Sequence, residues 1–135
     1  MAIADHQPVG EPGVWLSIID PRLRAALMDR YDTWVVEAED RGAVTILVTL
    51  ADGPVVIPDS ASKIVDRSER VAAYNEIVRS VASAHPKSVI LLDIAAAVES
   101  DPERYDRPDG IHFSEADGAV AVVADFVVPL FPPLP

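Results

Sequence analysis

Two continuous apolar runs, at residues 43–50 and 88–93, constrain most strongly the fold that this chain can adopt. Both are rich in aliphatic residues and show no alternation of apolar and polar positions, which is typical of strands covered on both faces in a parallel sheet. Helical patterns flank the runs and give the order α-β-α-β-α. Right-handed crossovers in that order place helices on both sides of the sheet. The sequence therefore predicts a three-layer α/β/α fold around a short parallel sheet.

The helices are predicted from capping residues and from apolar positions three and four residues apart. Asp20 and Pro21 begin the first helix and Gly42 ends it. Ser114, with Asp117 three residues later, begins the last helix. Trp34 falls at helical spacing and is predicted to lie in the core. The predicted helical segments cover residues 21–41, 66–85, 95–98 and 114–128.

Composition excludes several classes of function. The chain of 135 residues is expected to form a single domain, and its net charge of -11 argues against a surface that binds nucleic acid. It contains no cysteine, and its three histidines are too scattered to indicate a metal site. No organic cofactor is implied. No apolar run is long enough to span a bilayer and no signal peptide begins the chain, so it is expected to be soluble as written, in an undetermined compartment.

The stretch from Arg107 to Gly118 carries the clearest sign of chemistry. Asp109 and His112 stand three residues apart around a turn that Gly110 permits, so both side chains can project from one short loop. The carboxylate can then fix the tautomer of the imidazole and stabilise its protonated form. An isolated acid and histidine at this spacing is more often structural than catalytic.

The motif Arg107-Pro-Asp-Gly-Ile-His-Phe-Ser114 resembles the C-terminal part of SGNH (GDSL-type) hydrolases, especially the SGNH domains attached to membrane acyltransferases that O-acetylate cell-surface glycans. Tyr74-Asn75 and Leu92-Asp93 add to the resemblance. It implies that Asp109 is the orienting acid and His112 the general base, in a flavodoxin-like SGNH-type half-domain. The implied substrate is a small acyl ester or an acylated glycan. Attachment to a membrane acyltransferase would imply an extracytoplasmic location.

Two other blocks of the family are only partly present. Gly13 and Trp15 resemble the third block, which forms the substrate and oxyanion region, but the asparagine found in many members is absent. No Gly-Asp-Ser block occurs, so the nucleophile unit is expected to be missing from the N-terminal side. The local alternatives, none within a nucleophile elbow, are Ser17, Ser60 and Ser62.

These residues lead to two hypotheses. The first is a segment of an SGNH-type serine esterase or O-acetyltransferase that carries the acid and base of the triad. The alternative is a truncated, non-catalytic SGNH-like module with a binding or assembly role. A bare sheet edge and an uncovered apolar face would then favour self-association or pairing with a missing N-terminal segment.

Overall fold

The structure, a computed structural model, describes residues 7–8, 15–53 and 67–131, with only the backbone described at Gln7, Pro8 and Trp15. It is a mixed fold of helices and short strands, compatible with the small α/β class expected from the sequence. The described residues fall into two compact units. The first comprises residues up to 49 together with 67–91, and the second comprises 50–53 together with 92–131.

The first unit contains two pairs of strands and two long helices. The β1 (Gln7–Pro8) and β2 (Trp15–Leu16) strands pair antiparallel, whereas β3 (Thr45–Val48) and β4 (Val89–Leu92) form a two-stranded parallel sheet. Leu92, the last residue of β4, falls in the second unit. The helices are α1 (Pro21–Glu39) and α2 (Arg67–Ala84).

The capping residues place α1 where the sequence predicts it. The Asp20 side chain accepts a hydrogen bond from the backbone N–H of Arg22 at 2.9 Å, which satisfies one of the free donors at the helix start. Gly42 follows the helix with a φ of +73°, a left-handed conformation that glycine adopts without strain. The residue predicted to cap α2, Asp66, lies outside the described residues.

The core of the first unit lies on one face of the parallel sheet. Leu47 and Val89 belong there to one buried cluster with residues of α1 and α2, in which Ile77 and Val78 are fully buried. The cluster is completed by Ile18, Val35, Ala73, Val81 and Ala82.

The opposite side of the strands carries exposed aliphatic residues. Ile46 is 47% exposed and Ile90 is 38% exposed, and Val44, just before β3, is 56% exposed. The prediction that both strands are covered on two faces is therefore wrong at these positions. A continuous apolar run did not distinguish a strand buried on both faces from one whose second face remains uncovered.

Trp34 was also wrongly predicted to be buried. It is 50% exposed on α1, where Tyr31 packs against it edge-on with ring centroids 5.5 Å apart. The Arg30 guanidinium lies 5.8 Å from the centre of the indole. Contacts with residues on its own helix, rather than core packing, account for the helical spacing of Trp34.

The second unit contains short helices and long turns. Asp93, just after β4, caps α3 (Ile94–Ser100) by accepting a hydrogen bond from Ala96 N–H. Val98, Tyr105 and Ala121 form a small buried cluster with partly buried apolar neighbours. The elements are α3 (Ile94–Ser100), α4 (Gly118–Val122), a π turn (Val123–Val127) and a 3₁₀ turn (Val128–Leu130).

An ion pair joins the turn after α3 to the π turn. Arg104 donates two hydrogen bonds to Asp125, at 2.8 and 2.7 Å, and the Tyr105 hydroxyl donates another at 2.7 Å. Arg104 first, and then Tyr105, lower the pKa of Asp125 to about 2. The carboxylate is therefore ionised at neutral pH and holds both groups.

The last helix begins later than the sequence predicts. The Ser114 hydroxyl accepts a hydrogen bond from Gly118 N–H at 3.0 Å, so it does satisfy a donor at the helix start. However, residues 115–117 form a turn and α4 starts only at Gly118. No helix among the described residues is long and apolar enough to cross a membrane.

The core of the first unit yields a stability prediction. Ile77→Ala should lower the free energy of unfolding by about 2–5 kcal/mol, because Ile77 is fully buried and its truncation leaves a cavity. Met28→Ala on the exposed side of α1 should change it by no more than about 0.5 kcal/mol. Denaturant unfolding followed by circular dichroism measures both, and equal losses would show that the core is placed wrongly.

Candidate functional site

Asp109 and His112 are brought together in the second unit, as their spacing predicts. Asp109 Oδ2 lies 2.6 Å from His112 Nδ1. The Asp109 side chain is 41% exposed and the His112 side chain is 80% exposed. The two residues, called the dyad below, therefore present the far edge of the imidazole to solvent.

Backbone groups hold the carboxylate of the dyad in place. Asp109 Oδ1 accepts hydrogen bonds from the N–H groups of Ile111 and His112, at 2.8 and 2.7 Å. The side chain thus caps its own turn through one oxygen and contacts the imidazole through the other. Asp109 therefore both stabilises the turn, by accepting its backbone N–H groups, and orients the histidine ring.

These hydrogen bonds settle the charge of Asp109 and the tautomer of His112. The hydrogen bond from the His112 ring, followed by those from His112 N–H and Ile111 N–H, lowers the pKa of Asp109 well below the usual carboxyl range. An ionised carboxylate only accepts hydrogen bonds, so Nδ1 must carry the proton and donate it to Oδ2. In the neutral ring, Nε2 is then left as an acceptor on the exposed edge.

The loop that carries the dyad is closed at its base. Ser114 N–H donates to the Asp106 carbonyl at 2.9 Å, and Gly110 N–H donates to the Arg107 carbonyl at 2.9 Å. Gly118 is buried against Asp106, where an added Cβ would meet the Asp106 carbonyl oxygen far inside normal contact distance. Only glycine lets α4 start this close to the loop.

Arg107 connects the loop to the segment that follows β3. Its Nη1 donates to the carbonyls of Ala51 and Gly110, both at 3.0 Å, and its Nη2 donates to the Asp52 carbonyl at 2.6 Å. Gly110 itself has a φ of +75°, which favours glycine. The sequence singled out Arg107 as part of a motif but gave no sign of its bonds to residues more than 50 positions away.

The other predicted site residues lie outside the described residues or in the first unit. Gly13 lies outside the described residues, as do the alternative nucleophiles Ser60 and Ser62, and only the backbone of Trp15 is described, in β2. Ser17 belongs to the first unit. Its Oγ is buried and has no hydrogen-bond partner among the described residues, a setting unlike that of an accessible nucleophile.

A second acid and imidazole pair occurs in the first unit. His85 Nε2, just after α2, lies 2.6 Å from Asp32 Oδ1 on α1. The sequence predicts only that His85 interacts with the carbonyls at its helix end. The partner was missed because 53 positions separate the two residues and no local spacing pattern connects them.

Two residues of the resemblance outside the loop, Tyr74 and Asn75, lie on α2 in the first unit. Tyr74 donates its hydroxyl hydrogen to the Val48 carbonyl at 3.3 Å, and burial raises its pKa to about 12. Asn75 is buried on α2. Within the described residues, no group of three or more His, Asp or Glu side chains is arranged to hold a metal ion.

Comparisons with protein-family models, with curated proteins and with solved structures found no match for this chain. The case for a functional site therefore depends on the geometry of the dyad and on the motif that contains it.

The dyad predicts a pH dependence. Asp109 has a lower pKa folded than unfolded, where it is about 3.9, so its contribution to stability is present above that pH and is lost as the pH falls through the folded value. His112→Ala should raise the pKa of Asp109, because the largest cause of its lowering is removed. A ¹³C NMR titration of the Asp109 carboxyl measures this shift.

The matched control is His85→Ala, which removes the imidazole of the other pair. It should leave the titration of Asp109 unchanged. An Asp109 carboxyl that titrates alike in the wild type and in His112→Ala would contradict the geometry described above.

Proposed function

We propose that this chain is a segment of an SGNH-type serine esterase or O-acetyltransferase, in which His112 is the general base and Asp109 the acid that orients it. One observation carries the proposal. The Asp109 carboxylate binds Nδ1 of an imidazole whose other edge is exposed. A general base needs an accessible nitrogen in the acceptor form, and this arrangement provides one.

In the proposed reaction, His112 transfers a proton both when the serine is acylated and when the acyl group is released. As a serine hydroxyl attacks the acyl carbonyl carbon, His112 Nε2 takes its proton, and Asp109 stabilises the imidazolium. Collapse of the tetrahedral intermediate breaks the ester bond, and His112 returns the proton to the leaving alcohol. Water or a sugar hydroxyl then attacks the acyl-serine with His112 again as base, which releases the serine.

The nucleophile in this proposal comes from outside the described residues. The second unit holds two described serines, Ser100 and Ser114, and both hydroxyls are engaged at helix ends, with the Ala97 carbonyl and with Gly118 N–H respectively. From the resemblance to SGNH hydrolases we infer that a Gly-Asp-Ser strand and helix unit supplies the hydroxyl. Such a unit would also complete a three-layer, flavodoxin-like SGNH domain.

The substrate class follows from the resemblance rather than from the dyad, because an acid and histidine pair serves ester or amide cleavage equally well. The proposed substrate is a small acyl ester or an acylated glycan, with no metal or organic cofactor. If the chain is attached to a membrane acyltransferase, the reaction takes place outside the cytoplasm.

The proposal predicts slow hydrolysis of an aryl acetate by the purified chain, well below the median enzyme turnover of about 10 s⁻¹, because His112 can activate a water without an acyl-serine. His112→Ala and Asp109→Asn should both reduce the rate to that of the buffer. The control, His85→Ala, should retain it. Equal rates for the wild type and His112→Ala would refute the assignment of the base.

A serine-reactive fluorophosphonate probe tests the origin of the nucleophile in the same preparations. No labelling is expected. Strong labelling that His112→Ala abolishes would place the nucleophile within this chain, so the inference of an external nucleophile would be wrong while the esterase assignment would stand.

The uncovered face of the parallel sheet favours a second candidate function, a module that assembles through this face. Ile46 and Ile90 expose aliphatic side chains on strands of a kind that normally have both faces covered, and Val44 does so just before β3. We propose a second copy of the chain as the occupant. Each copy carries a net charge of -11, so two copies repel one another, and an uncharged contact surface such as this one avoids adding like charges at short range to that repulsion.

The assembly proposal predicts a dimer in sedimentation velocity that strengthens as salt screens the repulsion between the copies. Ile46→Asp should dissociate it, because a carboxylate would be buried at the contact. Met28→Asp, which places the same charge on the exposed side of α1, should not. A wild-type chain that stays a compact monomer at every concentration would refute the proposal.

A further inference from the structure

The peptide group between Gly110 and Ile111 is held from both sides. Its carbonyl accepts a hydrogen bond from Arg107 Nη1 at 3.0 Å, and its N–H donates to Asp109 Oδ1 at 2.8 Å. A trans peptide group is planar, and its carbonyl and N–H point in opposite directions. The hydrogen bond from Arg107 to the Gly110 carbonyl therefore also fixes the direction of the Ile111 N–H. Arg107 therefore influences where the Asp109 carboxylate finds its hydrogen bond.

The same guanidinium is anchored outside the dyad loop. The Ala51 and Asp52 carbonyls accept its other hydrogen bonds, at 3.0 and 2.6 Å. Arginine presents several donors in one rigid plane, whereas lysine presents a compact ammonium on a flexible stem. Binding three carbonyls from two separate segments depends on that plane.

We propose that Arg107 is a positioning residue for the dyad: by binding the Gly110 carbonyl while anchored on the Ala51 and Asp52 carbonyls, it directs Ile111 N–H at Asp109 Oδ1 and leaves Oδ2 directed at His112. The catalytic meaning of this role rests on the proposed function. The positioning itself is a property of the loop and is measurable without any substrate.

The segment after β3 becomes part of the site through this contact. An added Cβ at Gly53 would lie 3.0 Å from Arg107 Nη2, so this position leaves little room beside the guanidinium. Arg107 couples that segment to the geometry of the base.

Arg107→Lys tests the proposal because it keeps the positive charge and removes the planar donor set. We expect the pKa of Asp109, measured by ¹³C NMR titration of its carboxyl, to rise toward its ordinary value of about 3.9. We also expect hydrogen exchange at Ile111 N–H to become about two- to tenfold faster, as for the loss of one hydrogen bond.

Arg104→Lys is the matched control. It makes the same substitution in the same unit, but Arg104 binds Asp125 and lies outside the dyad loop. It should lower stability without changing the titration of Asp109 or the exchange of Ile111. Equal changes in both variants would mean that a general loosening of the unit is responsible, and the positioning role would be refuted.

Gly53→Ala keeps the proposal testable if Arg107→Lys fails to fold. Its new methyl group would make the guanidinium shift by a few tenths of an ångström, so the pKa of Asp109 should change in the same direction by a smaller amount. A folded Arg107→Lys or Gly53→Ala variant with unchanged Asp109 titration and Ile111 exchange would overturn the proposal. Failure of the esterase assay, by contrast, would leave these two measurements unaffected.

Discussion

The candidate site depends on the three hydrogen bonds that the Asp109 carboxylate accepts within its own turn. They keep Asp109 ionised, and the ionised carboxylate in turn determines which nitrogen of His112 carries the proton. The surrounding features maintain this arrangement: the left-handed Gly110, the bond between Ser114 and Asp106, and the close start of α4 at Gly118. A loop of few residues thus becomes rigid enough to orient an imidazole.

The imidazole of the candidate site is open to solvent. The His112 side chain is 80% exposed, so charges that develop beside it are screened by water far more than in an enclosed pocket. Enzymes gain much of their electrostatic stabilisation by excluding water around prearranged dipoles. In the proposed reaction the dyad would supply orientation and proton transfer, and a second surface over the imidazole would be needed to exclude water.

The sequence predicted the features whose causes are local. The Asp20 cap, the end of the first helix near Gly42 and the contact between Asp109 and His112 each depend on residues within a few positions of one another. What it missed depends on distant residues. The pairing of His85 with Asp32 joins two helices, and whether Ile46 or Trp34 is covered depends on packing that apolar spacing does not determine.

The π turn at Val123–Val127 changes the direction in which the next side chains project from the helix axis. Val128 N–H reaches back five residues to the Val123 carbonyl, one residue more than in an α-helix. Because each residue of an α-helix advances the rotation by about 100° and each residue of a π turn advances it by less, a helical wheel drawn continuously from Gly118 misplaces Val128. An alignment of this C-terminal region with an uninterrupted helix would therefore require a one-residue gap, placed at the turn from which Asp125 reaches Arg104.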